Sequence, residues 1–108
     1  MPAARRFFCA DAWAATAPRR ARYRLIVSNP PVHRGRPDDL RVLLALLEGG
    51  AARLRPRGLL VLVTQAHVPV GPLAAGVRRA ADLAPAYAVT AERADDGRFI
   101  VWFCEALP

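Results

Sequence analysis

The sequence predicts an α/β fold, with parallel strands flanked by helices and an antiparallel hairpin at the end. Three observations predict it. Two short apolar runs, at residues 23–28 and 59–64, bracket a segment whose leucines recur at helical spacing, the pattern of a strand–helix–strand unit. The second run is apolar from Leu59 through Val63, as a strand buried on both faces of a sheet requires. Asp95-Asp96-Gly97 lies between two further apolar arms, a hairpin signal.

The elements follow in chain order. Residues 6–10 form a short apolar run that stops at Asp11, and residues 12–22 read as a connection rich in Ala, Arg and Pro. Tyr-Arg-Leu-Ile-Val-Ser at 23–28 reads as a strand, which Asn29-Pro30-Pro31 ends because proline cannot donate to a ladder. Asp38 or Asp39 can cap the next helix, whose apolar face is Leu40, Leu43, Leu44, Leu47, Ala51 and Leu54. Gly49 and Gly50 weaken it by about 1 kcal/mol each relative to Ala, while sparing room for close packing. Pro56 and Gly58 turn the chain into the strand at 59–64. Gly71-Pro72 opens a second helix expected to reach about Leu83, with Leu73, Val77 and Ala80 or Ala81 inward, and Pro85 ends it. The hairpin arms are residues 87–91 and 98–104. The second is apolar on both faces and suits an interior strand, with Phe99 and Trp102 expected in the core.

The 108 residues fit a single domain, 1–108. Hydrophobic residues make up 54% and charged residues 23%, a balance that excludes a disordered chain. The net charge is +7, and all 16 basic residues are Arg. Absence of Lys points partly to coding bias. Two readings therefore stay open for the clusters Arg19, Arg20, Arg22, Arg24 and Arg34, Arg36, Arg41: a solvated face, or a face for nucleic-acid phosphates, which the guanidinium fork suits. Cys9 and Cys104 have no Cys-x-x-Cys spacing and read as free thiols of a reducing compartment. His33 and His67 share no ligand spacing, so no metal is expected. No apolar run is long enough for a membrane span, and the N-terminus has no signal-peptide core. A cytoplasmic location is expected, with an organellar one also open.

The informative stretch is Leu25-Ile26-Val27-Ser28-Asn29-Pro30-Pro31-Val32-His33. Ligands of open α/β sheets bind beyond the carboxyl ends of strands, and Asn29 stands at such an end. A residue before proline is pushed out of the helical region, so Asn29 and Pro30 are both stiffened. The Asn29 amide oxygen and the Pro30 carbonyl then form a fixed pair of acceptors, and neither proline carries an N–H to oppose a donor. Two fixed acceptors can hold the hydrogens of a ring-bound NH2 group and aim its lone pair at an electrophile. A plain strand stop followed by a turn is the competing reading.

Residues 23–35, with Asn29, Pro30, Pro31, Val32, His33 and Gly35, resemble the substrate-amine motif of the class I methyltransferases that use S-adenosylmethionine (SAM). They are most similar to the small-domain family that modifies guanine N2 of 16S ribosomal RNA. Residues 54–64 resemble that family's Leu-x-Pro-Gly-Gly turn and following strand, with Arg57 in place of the first glycine. Gly97-Arg98-Phe99 through Val101 resembles its closing strand, and Phe8-Cys9-Ala10-Asp11 the segment that meets the adenine of SAM. The resemblance implies a fold that is the C-terminal half of a Rossmann-like sheet. It implies catalytic roles for Asn29, Pro30 and Pro31, substrate contacts from Val32, His33 and Gly35, and SAM contacts from Asp11, Ala12 and Asn29. Gln65 stands where the family often has Asn. The implied co-substrate is SAM without a metal, and the implied partner is RNA, ribosomal RNA above all, with no membrane.

Two departures bear on this. Val32 stands where the family stacks an aromatic on the base, a contact worth about 1–3 kcal/mol; His33 or Trp13 could take its place. Second, residues 1–10 contain no Gly-x-Gly loop for SAM. A missing N-terminal half or a partner chain is accordingly expected to complete the activity. The alternatives are a non-catalytic RNA- or partner-binding module, or an Asn-Pro-Pro methyltransferase for adenine or protein glutamine.

Overall fold

The computed structural model describes residues 22–30, 37–94 and 96–108. The elements are β1 (Tyr23–Ser28), α1 (Pro37–Arg53), β2 (Leu54–Gln65), α2 (Val70–Ala75), β3 (Tyr87–Arg93) and β4 (Phe99–Ala106). The expected strand at 6–10 lies outside the described residues. The strands form one mixed sheet in the order β1-β2-β4-β3. β1 and β2 run parallel, joined through α1, while β4 is antiparallel to both β2 and β3. The fold is the α/β class expected for part of a methyltransferase sheet, with the hairpin at its end and its apolar arm, β4, in the interior. Among the described residues the parallel character is confined to β1 and β2.

One face of the sheet carries the core. Ile26, Leu60, Leu62 and Cys104 alternate inward and pack with Leu43, Leu46 and Leu47 of α1 and Val70 and Ala74 of α2. On the opposite face Val61 pairs with Phe103 and Val63 with Val101, all half-buried. At its β1 margin Leu25 and Val27 are 56% and 60% exposed.

Helix α1 starts at Pro37, ahead of both Asp38 and Asp39, so neither aspartate is its cap. Proline suits the first turn because the N–H it lacks would have no helical partner there. The buried stripe is Leu43, Leu46, Leu47, Gly50 and Arg53. It is rotated from the expected face: Leu40 and Leu44 are exposed, and Leu46 replaces them. The helix passes through Gly49 and Gly50 without a break. Gly50 is buried, and Arg53 returns a hydrogen bond of 3.0 Å to the Gly49 carbonyl.

Leu54 belongs to β2 and not to α1, pairing with Tyr23. The ladder then slips: Leu25 pairs with Leu59, so β2 spends five residues against two of β1. Pro56 and Gly58 make their turn inside this bulge. Arg57 takes φ 65°, a left-handed conformation that costs an L-residue about 1–2 kcal/mol. A Cβ on Gly58 would lie 2.9 Å from the carbonyl oxygens of both Arg55 and Tyr23, so glycine is required there by close approach of two backbones.

The second helix is shorter than expected. α2 ends at Ala75 and not near Leu83, and both Ala80 and Ala81 are exposed rather than inward, while Val77 is buried as expected. Arg79 explains the stop. Its guanidinium binds Asp82 through two bonds of 3.1 and 2.8 Å and the Pro108 carbonyl at 2.8 Å. Its backbone N–H donates to Ala84 at 2.8 Å. These bonds, with a bridge between Arg78 and Pro85, hold residues 78–85 as a closed turn against the helical preference of the alanines. Phe99 is also not a core residue, being 42% exposed at the start of β4. Trp102 is half-buried and packs against the core as expected.

Candidate functional site

The parallel strands β1 and β2 point their carboxyl ends the same way, and the connections of β3 and β4 return to that end. Asn29 follows β1, β2 stops at Gln65, β3 stops at Arg93 and β4 starts at Phe99. Across the sheet these four residues stand in the order Asn29, Gln65, Phe99, Arg93, at spacings of about 4.8 Å per strand.

Asn29 is exposed while Pro30 directly after it is buried. The corner thus has a polar residue in solvent and a buried ring directly after it. Pro31, Val32, His33 and Gly35 lie outside the described residues, as do Asp11 and Ala12. The structure therefore places Asn29 and Pro30 at one strand end and leaves the other expected contacts undescribed.

Beside this corner, Ser28 pairs with Leu62, so β2 runs on past Asn29 through Thr64 and Gln65. Thr64 is buried, and its hydroxyl accepts a bond of 2.9 Å from the indole N–H of Trp102 and donates one of 3.0 Å to the Gln65 carbonyl. A buried hydroxyl needs such partners, and the pair locks the end of β2 to β4. Gln65 and His67 then emerge into solvent. Ala66 N–H donates to the Arg98 carbonyl at 2.9 Å, which ties this turn to the hairpin tip.

A cleft of about 640 Å³ opens here, lined by Gln65, Ala66, His67, Arg93, Arg98 and Phe99. A larger groove of about 1220 Å³ runs between the end of α1 and residues 76–81. It reaches Leu54, Pro56 and Pro108, at the opposite end of the sheet from Asn29. We place the candidate site at the first cleft and the Asn29 corner, because the strand ends and the exposed polar side chains fall at the same end of the sheet.

Gln65 and Asn29 were visible in the sequence as strand-end polar residues. Arg93 and the Thr64–Trp102 pair were not, since they belong to no local motif, and Arg98 was visible only as part of the closing-strand resemblance; all reach this end because β4 folds back along β2. Among the described residues no group of His, Cys, Asp and Glu could hold a metal ion, and no helix is long and apolar enough to cross a membrane. Cys104 is a buried free thiol, its pKa pushed up to about 11 by burial. It is remote in register from Asn29, opposite Leu60, and belongs to the core.

Comparison with known proteins gives one family: residues 3–101 match the methyltransferase small domain. No curated protein matches the chain. The family match extends over the strand with the Asn-Pro-Pro corner, the βαβ unit and most of the hairpin, and the chain belongs to the methyltransferase small domain family.

Proposed function

We propose that the chain carries the substrate-amine end of a SAM-dependent N-methyltransferase acting on an exocyclic amine, guanine N2 of ribosomal RNA. The observation that carries this reading is the exposed Asn29 followed by the buried Pro30 at the carboxyl end of β1. SAM, when bound, supplies an electron-poor methyl group. Asn29 accepts one hydrogen of the amine through its side-chain oxygen, and the Pro30 carbonyl accepts the other. Holding both turns the nitrogen lone pair out of conjugation with the ring. One N–C bond forms as the S–C bond breaks, and the surplus proton leaves the nitrogen for water. No strongly basic side chain is needed, because the acceptors act by position and partial charge. Asp11 and Ala12 are the residues proposed to hold the adenosine part. The arginines supply phosphate contacts that give affinity without sequence, and a base inside a duplex is flipped out to reach the corner.

The test is a separation of two constants. In an enzyme preparation active on RNA, Asn29→Ala lowers methyl transfer at least about 100-fold while SAM affinity by calorimetry stays within about twofold. Asp11→Ala does the reverse. Equal loss of both constants in Asn29→Ala would contradict the assigned role. Mass analysis of the nucleosides distinguishes guanine N2 from adenine as the acceptor. A chain that binds RNA but shows no calorimetric response to SAM is instead a binding module.

A further inference from the structure

We infer that the cleft at the hairpin tip is a docking site for single-stranded RNA next to the modified nucleotide, with Phe99 stacking a neighbouring base and Arg93 and Arg98 holding its phosphates. The inference rests on the RNA substrate proposed above and adds a site that the Asn-Pro-Pro corner does not contain.

The argument begins with Phe99. An aromatic side chain at the start of an apolar interior strand is expected inside, yet this one is 42% exposed. It pairs across the sheet with Gln65, itself exposed, so an open ring and an amide stand side by side. Every base presents a π-face, and stacking on an exposed ring is the usual means of holding single strands. Phe99 lies two strands across from the Asn29 corner and two residues further along, because Ser28 pairs with Leu62 and Phe99 with Gln65; that is about 12 Å, a span of about two to three nucleotides. The ring is therefore placed for a base flanking the target, not for the target itself.

Arg93 and Arg98 flank the ring from the two arms of the hairpin. Both are exposed. Arg93 spends one donor on the Gly97 carbonyl at 3.3 Å, and a guanidinium has five, so the bond orients the group and leaves it able to take a phosphate. In the same turn the Asp96 carboxylate is engaged with the backbone, accepting the Arg98 N–H at 2.9 Å. Gly97 at φ 73° and the bond from its N–H to the Ala94 carbonyl at 2.8 Å close the tip. With Ala66 tied to Arg98, the cleft floor is backbone-braced on both sides, so little ordering is needed on binding.

The experiment uses the full chain and a fluorescent, mixed-sequence single-stranded RNA of about 12 nucleotides, with anisotropy read across a salt series. Arg93→Gln with Arg98→Gln weakens binding at least about tenfold at low salt and lowers the salt slope by about 1.4, the value for two lost single-strand phosphate contacts. Phe99→Leu weakens binding about tenfold to a hundredfold with the salt slope unchanged, and the loss disappears with an abasic oligomer. Arg55→Gln, at the far end of β2, changes affinity by less than about twofold. All four positions are exposed, and circular dichroism verifies that the variants remain folded. Absence of RNA binding by the parent chain overturns the inference. So does an Arg55→Gln loss equal to that of the cleft variants, a Phe99→Leu variant that binds like the parent, or poly-glutamate competing as well as RNA. The catalytic reading fails separately: if Asn29→Ala transfers methyl normally while the cleft variants lose RNA, the corner is wrong and the cleft stands.

Discussion

The parallel pair β1–β2 and the antiparallel hairpin β3–β4 are built to different standards of regularity. The hairpin keeps seven consecutive pairs from Tyr87 against Ala106 to Arg93 against Ile100, and a glycine, Gly97, takes the left-handed conformation in its turn. The parallel pair slips by three residues after its first partners and puts an arginine where the backbone wants glycine. It then ends on the proline corner. The hairpin can be regular because it only has to hold β2 in place and present its tip. The parallel pair has to stop β1 abruptly at Asn29 while β2 runs on beside it. The comparison teaches that the corner proposed for the chemistry belongs to the irregular member, while the regular member supplies the cleft at the same end of the sheet.

Each half can be broken or sharpened on its own. The largest effect is expected from Gly58→Ala. Its Cβ would meet two carbonyl oxygens at 2.9 Å, neither of which is a flexible side-chain end, and overpacking of this kind costs about 2–3 kcal/mol. Urea titration should show that loss in the midpoint, and an unchanged midpoint would mean the bulge adapts freely. Tyr87→Phe tests the hairpin's tie to α1. The Tyr87 hydroxyl donates to the Leu47 carbonyl in the core, and losing that buried bond costs about 0.5–1.5 kcal/mol, the carbonyl keeping its helical partner within α1.

Two glycine exchanges then give opposite signs. Arg57→Gly relieves the left-handed conformation at φ 65° and should stabilise by about 1 kcal/mol, or about 4–8 °C in melting temperature. Gly97→Ala imposes the same penalty on the hairpin turn at φ 73° and should destabilise by about 1 kcal/mol. If Arg57→Gly failed to stabilise, the arginine side chain would be holding something that its backbone cost offsets.

The smallest effect is in alkaline solution. Burial pushes the Cys104 thiol up to about 11 from its ordinary 9.0 and raises the Tyr87 phenol as well. A group whose folded pKa is raised gives stability that is whole below the unfolded pKa and is lost as pH rises. Denaturation midpoints should therefore be flat from pH 7 to about 8.5 and fall from about pH 9 toward 11, and Cys104→Ala should flatten that fall. A fall of equal slope in Cys104→Ala would assign it wholly to other groups.

Much of this was legible in local residues, and the exceptions have specific causes. Strand β1 was readable to the residue, because the β-branched run and the prolines after it act on neighbouring φ and ψ alone. The hairpin was readable because Asp-Gly chemistry is local too. Leu54 was misplaced, since a leucine at helical spacing also fits the first residue of a strand, and only pairing with Tyr23 decides. The second helix was overextended because the clamp that stops it joins Arg79 to Pro108, far along the chain. At the candidate site, Asn29 and Pro30 could be read from the corner itself, whereas Phe99 was assigned to the core by its apolar neighbours.

What the sequence determined unaided is the alternation of strands and helices, the stiff Asn-Pro-Pro stop and the interior character of β4. Each depends on side-chain period or on backbone torsions within a few residues. The tertiary structure alone decided that Gln65, Arg93, Arg98 and Phe99 gather in one cleft, at the same end of the sheet as Asn29. That gathering depends on the direction in which each strand enters the sheet, which is set by burial of one face against α1 and α2 and leaves no trace in any single stretch of the chain.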